Sequence, residues 1–192
     1  MKFSDHRLPP GRHGLSPDFV AEHQRWRLIG AAAEMLHECG YAGVSARGIA
    51  VRAAVSSSTF YRHFDNVTAV LTASFEAAAL TFLEVVSEAC RSAGEGEPRS
   101  LATLQAALAF VAEDPDLARL MGNEAAAAVA EIAAGRQDLL DRLAEMAAAS
   151  AGADLPGCRC AFAGALALIA SGERAPGGAP ELVEILTAVG MS

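Results

Sequence analysis

Apolar positions recur at helical spacing along most of the chain, and glycine and proline cut the pattern into segments. Ser16-Pro17 reads as an N-cap followed by proline at the first helical position, with acidic Asp18 behind it. A helix is predicted over 17–39, with Trp26, Ile29, Ala33 and Leu36 on one face, and Gly40 stands where a left-handed C-cap would end it. Two very short helices follow. Ser45 caps the first, 46–53, which buries Ile49 and Ala50; Ala54-Val55-Ser56 forms a turn; the second, 57–64, buries Phe60 and Phe64. A long helix is predicted over 67–92, with Val67, Leu71, Phe75, Ala78, Phe82 and Val86 along one face. Gly94 to Pro98 breaks the pattern, and further helices fit 100–113, 115–121 (with a possible run on to 134), 137–149, 158–171 and 181–189.

Composition agrees with this all-helical reading. The chain is 52% hydrophobic but only 6% aromatic, most of the apolar content is alanine and leucine, and β-branched runs are almost absent. No stretch of 18 or more residues looks both apolar and strongly hydrophobic, so no membrane span is expected. The start has charges but no apolar core of a secretory signal, and Cys39, Cys90, Cys158 and Cys160 do not form a disulfide framework. Those features predict a cytoplasmic protein.

Net charge changes the picture only once it is divided. The chain carries −8 overall, yet residues 1–64 carry +3 and all five histidines, and the remainder carries −11. A positive head on an acidic body suits DNA binding at one end.

The head is where chemistry concentrates. Two short helices and a tight turn after a long first helix make a three-helix DNA-binding arrangement. Ser45 can cap its helix and also bond a phosphate, and Arg47 can reach a phosphate or a base edge. Ser56, Ser57, Ser58 and Thr59 surround the first turn of the second helix, where a recognition helix meets bases; small hydroxyls let it approach the groove closely. Tyr61, Arg62 and His63 complete a polar, partly cationic outer face. Any one of these residues alone would more often be a solvated surface group.

Taken together, the stretch from about Arg25 to Phe75 resembles the DNA-binding domain of the tetracycline-repressor (TetR) family of transcriptional regulators. The resemblance rests on Gly40-Tyr41, Ser45-Ala46-Arg47-x-Ile49-Ala50, Ala53-x-Val55-Ser56 and Thr59-Phe60-Tyr61-x-x-Phe64. It implies a helix-turn-helix domain at 17–66, preceded by a flexible basic arm at 1–16. A helical effector-binding and dimerisation domain would fill 67–192. Three departures stand out: Ala54 occupies the turn position usually filled by glycine, Val67 a position where lysine is common, and Gly48 one that is usually acidic. Arg12 to Leu15 also resembles a run that precedes the first helix in a TetR subgroup, and Arg7 and Arg12 could enter a minor groove.

By the same resemblance the partner is double-stranded operator DNA, and the protein is a repressor released by a small apolar or amphipathic effector. The candidate effector residues are Phe82, Gln105, Phe110, Arg119, Asn123, Glu124 and Phe162. Apolar stripes on 158–171 (Phe162, Leu166, Ile169) and 181–189 (Leu182, Leu186, Val189) predict that Cys158–Ser171 and Glu181–Val189 pair with their twofold mates in a homodimer. No cofactor is expected. Cys158-x-Cys160 lacks the further ligands that zinc wants, and no nucleophile, base and orienting group can be assembled, so neither a metal nor an enzyme is expected. The competing reading is an interaction protein that kept the fold and weakened or lost operator binding, which Ala54 and Val67 would permit.

Overall fold

The computed structural model describes residues 16–92, 102, 105–107, 109, 110, 115–148 and 163, and among these every regular element is a helix. The chain divides into two compact units, the first ending at Ser74 and the second beginning at Phe75, so the division falls inside one long helix.

In the first unit, α1 spans Pro17–Gly43. The Ser16 side chain accepts from the Phe19 amide at 3.2 Å, which satisfies one of the free donors of the first turn. Gly40 takes φ 66° and ψ 174°, so the regular helix breaks there and a last turn follows up to Val44. The positive φ expected of Gly40 is present, although its ψ is extended rather than left-handed helical. The buried stretch is wider than one face: Leu28, Ile29, Ala31, Ala32, Ala33 and Leu36 are all buried, whereas Trp26 is only half-buried. The middle of α1 is enclosed by its neighbours instead of lying on them by one stripe.

α2 (Ala46–Arg52) and α3 (Ser57–His63) pack against α1 and each other. Ile49, Ala50, Phe60 and Phe64 form their buried side, as the apolar pattern predicts. Gly48 leaves room for a neighbour: a Cβ there would stand 2.6 Å from Met35 Cε and 3.0 Å from the capping Ser45 Oγ. An ion pair ties α2 back to α1, with Arg52 Nη1 donating to Glu38 Oε1 at 2.6 Å and Glu34 lying 3.6 Å away. That hydrogen bond holds Glu38 below the usual carboxylate range.

α4 spans Val67–Ser92, the range the sequence predicts. The Asn66 side chain accepts from the Ala69 amide at 2.8 Å and starts it. Within the first unit the Ser74 hydroxyl shares its one proton between the Val70 carbonyl at 2.7 Å and the Ile29 carbonyl at 3.0 Å, the latter fixing α4 against α1. α4 is long and apolar enough, by length and composition only, to cross a membrane, which corrects the expectation that no stretch reaches that level. Alanines on both faces raise its average, but Glu76, Glu84 and Glu88 stay exposed while Leu71, Phe75, Phe82 and Val86 are buried; that division is the habit of a core helix.

In the second unit residues 105–107, 109 and 110 are helical. They are followed by α5 (Pro115–Leu120), α6 (Asn123–Ala128) and α7 (Ala130–Ala148). α5 ends at Leu120, within one residue of the end expected at 121, and the alternative run on toward 134 is interrupted at Gly122 and at Val129, both in extended conformations. α7 begins at Ala130, earlier than the expected start at Gln137, because the Val129 carbonyl accepts from the Ala133 amide at 3.0 Å and opens the helix there. Leu120, Met121, Ile132, Leu139, Leu140 and Leu143 are its core. Gly135 lets the Phe75 ring come close: a Cβ at 135 would meet Phe75 Cε1 at 2.7 Å. The arm at 1–15 and the two helices expected at Cys158–Ser171 and Glu181–Val189 lie outside the described residues, apart from helical Ala163.

Candidate nucleic-acid interface

The turn between α2 and α3 decides how α3 is presented. After Arg52 the amide of Ala54 bonds the Val51 carbonyl at 3.0 Å, and the amide of Val55 bonds Ala50 at 2.9 Å. These paired bonds form a Schellman end, which needs positive φ at the residue that glycine usually fills. Ala54 supplies it at φ 50°. A left-handed alanine costs about 1–2 kcal/mol, so something must hold the turn. Arg27 does so from α1: its Nη2 donates to the Ala53 carbonyl and, at 3.2 Å, to that of Ala54.

Ser56 then caps α3, accepting from the Thr59 amide at 3.0 Å. Its Oγ also lies 2.8 Å from Ser58 Oγ and 2.9 Å from Thr59 Oγ1, so the hydroxyls of the first turn form one connected group. Thr59 is the inward member. It is 7% exposed, and its hydroxyl accepts from Arg62 Nη2 at 3.0 Å. Ser56, Ser57 and Ser58 remain exposed. The free surface of α3 is therefore narrower than the run of four hydroxyls implies.

Along the rest of α3, Tyr61 is 59% exposed, with its ring edge-on to Phe60 at 5.2 Å, and Arg62 is exposed. The Tyr61 body is thus steadied by a buried ring while its hydroxyl stays outside. Ser45 caps α2 by accepting from the Gly48 amide at 3.1 Å, which leaves its own proton free to donate. Arg47 is exposed, and among the described residues no carboxylate lies within ion-pair distance of it. His63 is different: half-buried, its Nε2 has no hydrogen-bond partner. Burial pulls its pKa down, and the charges of Arg62 and Arg25 add to the effect. Arg25 itself lies over the Phe64 ring, 4.7 Å from its centre.

Ser45, Ser56, Ser57, Ser58, Tyr61 and Arg62 thus lie outward on two adjoining short helices, with Arg47, while Thr59 and His63 are partly or wholly enclosed. Sequence reasoning passed over Arg25, Arg27 and Asn66. Asn66 carried a readable signal, a capping residue directly before the Val67 helix. Arg27 carried none, since its partners are 26 and 27 positions away.

The effector candidates are not all brought together. Phe82 is fully buried and faces Phe110, ring centres 5.3 Å apart, but Gln105 is exposed. Arg119 is half-buried near the end of α5. The side chains of Asn123 and Glu124 and all of Phe162 lie outside the described residues. Among those residues no group of three or more His, Cys, Asp or Glu could hold a metal ion. Cys39 is exposed and its thiol is in no disulfide.

Residues 28–73 match the model of the family described as bacterial regulatory proteins, tetR family. The first unit is accordingly a TetR-type DNA-binding domain, and the resemblance carried by the Gly40 to Phe64 motifs holds.

Solved structures align over nearly the whole chain. The fatty acid degradation regulator FadR from Bacillus halodurans is 18% identical, with a TM-score of 0.67 over 92% of this chain and 94% of that one. A TetR-family member from Streptomyces coelicolor A3 is 20% identical, with a TM-score of 0.68 over 86% and 97%. The multidrug binding protein EbrR, complexed with imidazole, is 21% identical, with a TM-score of 0.66 over 86% and 94%. No curated protein matches the sequence. At these identities the likeness establishes the fold: a helix-turn-helix head and a helical C-terminal region, as in TetR-family transcriptional regulators.

Proposed function

We propose that this chain is a cytoplasmic, homodimeric repressor that grips operator DNA with α3 and lets go when a small molecule binds its second unit. The observation that carries the DNA half is the turn at Ala54, held in a costly conformation by Arg27, which sets α3 at a fixed angle to α2. A strained turn is retained where the presentation of the next helix matters. Ser57 and Ser58 then meet base edges at the helix start, and Ser45, Arg47, Tyr61 and Arg62 meet phosphates on either side.

The effector half rests on α4, which both units share. At about 1.5 Å per residue, a shift near Phe82 would be carried along the helix to Val67, just past α3. EbrR is described as multidrug binding, and that supports a ligand for the second unit here. Phe82, Phe110 and Arg119 are the described residues we assign to it. Release would follow from unequal affinity of the ligand for the two states. Pairing of the 158–171 and 181–189 segments would supply the dimer.

Selection of bound fragments from randomised duplex DNA tests this. Enrichment of a pseudo-palindrome with half-sites about one turn apart, roughly 34–36 Å, is expected. Recovery of unenriched DNA, or a monomer by light scattering at micromolar concentration, would overturn it.

A further inference from the structure

We propose that Arg136 is the recognition residue of an anion site inside the second unit, and that its ligand is a carboxylate carried on an apolar body. This names the chemical class of the effector and rests on the effector reading above.

Arg136 sits on the buried side of α7. Ile132, Leu139 and Leu140, its neighbours at four back and three and four ahead, are all 2% exposed or less, and Arg136 itself is only 8% exposed. A guanidinium stays charged under all ordinary conditions and offers five donors. Here one is used: Nε donates to the Met121 carbonyl at 3.1 Å. Among the described residues no carboxylate lies within ion-pair distance, although buried arginines are normally paired. Burial pulls the pKa of the group down, with no neighbouring acid to offset it.

A structural role is visible and insufficient. The Met121 carbonyl lies in the break after α5, and a positive group there suits the end of a helix. One donor would serve that purpose. The remaining donors form the planar fork that matches a carboxylate through two parallel bonds. Leu120, Met121 and Ile132, fully buried beside it, make the surroundings apolar, so the anion that suits this place is one with a hydrocarbon body.

Dodecanoate is the probe, titrated into the full chain by calorimetry below its micelle concentration, beside methyl dodecanoate, dodecyl phosphate and dodecyltrimethylammonium. Dodecanoate should bind and raise Tm, and the ester and the cation should bind about tenfold or more weakly, the loss expected when a charge-assisted bond of about 1.5–3 kcal/mol is absent. Arg136→Met should lose about the same factor for dodecanoate while leaving the ester unchanged, and Arg136→Lys should fall between. Equal affinity for acid and ester on the unaltered chain, a comparison that needs no variant to fold, would overturn the site. So would no binding of either anion, full affinity in Arg136→Met, or tighter binding of dodecyl phosphate than of dodecanoate. Repeating the titration with selected operator separates this claim from the wider one. Arg136-dependent binding that leaves operator bound keeps the anion site and removes the effector role; release by an uncharged ligand regardless of Arg136 does the reverse.

Discussion

Arg27 on α1 and Ala54 in the turn before α3 are joined by a hydrogen bond of 3.2 Å from guanidinium to carbonyl, at a residue held at φ 50°. The bond explains how alanine stands where glycine would be unstrained. The strain and the bond should therefore be separable. Ala54→Gly should stabilise the first unit by about 0.5–1 kcal/mol, the left-handed penalty less the added freedom of the unfolded chain. Arg27→Met should destabilise it by about 1.5–3 kcal/mol and cost less in the Ala54→Gly background. Trp26, the sole tryptophan, gives the readout by fluorescence during urea unfolding. Loss of stability in Ala54→Gly would show that the turn is not strained.

Gly135 makes the opposite prediction about glycine. Alanine would gain about 1 kcal/mol in helix propensity. Its Cβ would press on the ring of Phe75, which is 2% exposed and has little room to yield, at an overpacking cost of about 1–3 kcal/mol. Gly135→Ala should therefore lower the melting temperature of the circular dichroism signal, and a rise would show that Phe75 can move aside.

Local signals were legible in the sequence, and distant ones were not. Ser16 and Ser45 cap the helices they precede, and α4 occupies 67–92 as its apolar spacing requires, because each feature depends on neighbours within one turn. The break at Val129 falls in an alanine-rich run whose local preference is helix, so packing had to impose it, whereas Gly122 is itself a poor helix former and follows the end expected at 121. The orientation of Thr59 was hidden for a related reason. Positions 57–59 span most of a helical turn, and which of them faces inward depends on how α3 rests on α1 and α2. The buried charge at Arg136 looks like any polar residue in a sequence of period 3.6; only the fold reveals that it lies on the apolar side.

His63 should give the first unit a pH dependence. Its folded pKa is lowered, first by burial and then by Arg62 and Arg25, so the unfolded chain binds a proton that the folded one resists. Stability then rises with pH up to about 6.5, the ordinary histidine value, and is flat above it as far as this group is concerned. Glu38, whose pKa is lowered by Arg52, acts further down, where its carboxylate begins to protonate. Between pH 5 and about 6.5 the Trp26-monitored stability should fall with acidity, and His63→Gln should flatten the curve. An unchanged slope in that variant would assign the effect to another group.

Base reading and phosphate holding should also divide between residues. Ser58→Ala, at an exposed position of the first turn of α3, should change which bases are preferred in the selected DNA with little change in salt dependence. Thr59→Ser, at the enclosed position, should leave base preference as it is. A shift in preference for Thr59→Ser and none for Ser58→Ala would mean that α3 meets the groove with its other side.

The outward face of α3, with Tyr61 and Arg62 on it, is the face we assign to DNA. The direct measurement is the dependence of binding on salt, with the selected duplex titrated at several salt concentrations. Each phosphate contact adds about −0.9 to the slope of log K against log salt. Arg62→Ala should therefore weaken binding to every sequence and reduce the slope by about one contact per subunit. Tyr61→Phe, which removes a neutral donor, should weaken binding and leave the slope alone. Unchanged affinity and slope in Arg62→Ala, together with unchanged affinity in Tyr61→Phe, would contradict the placement of this face against DNA.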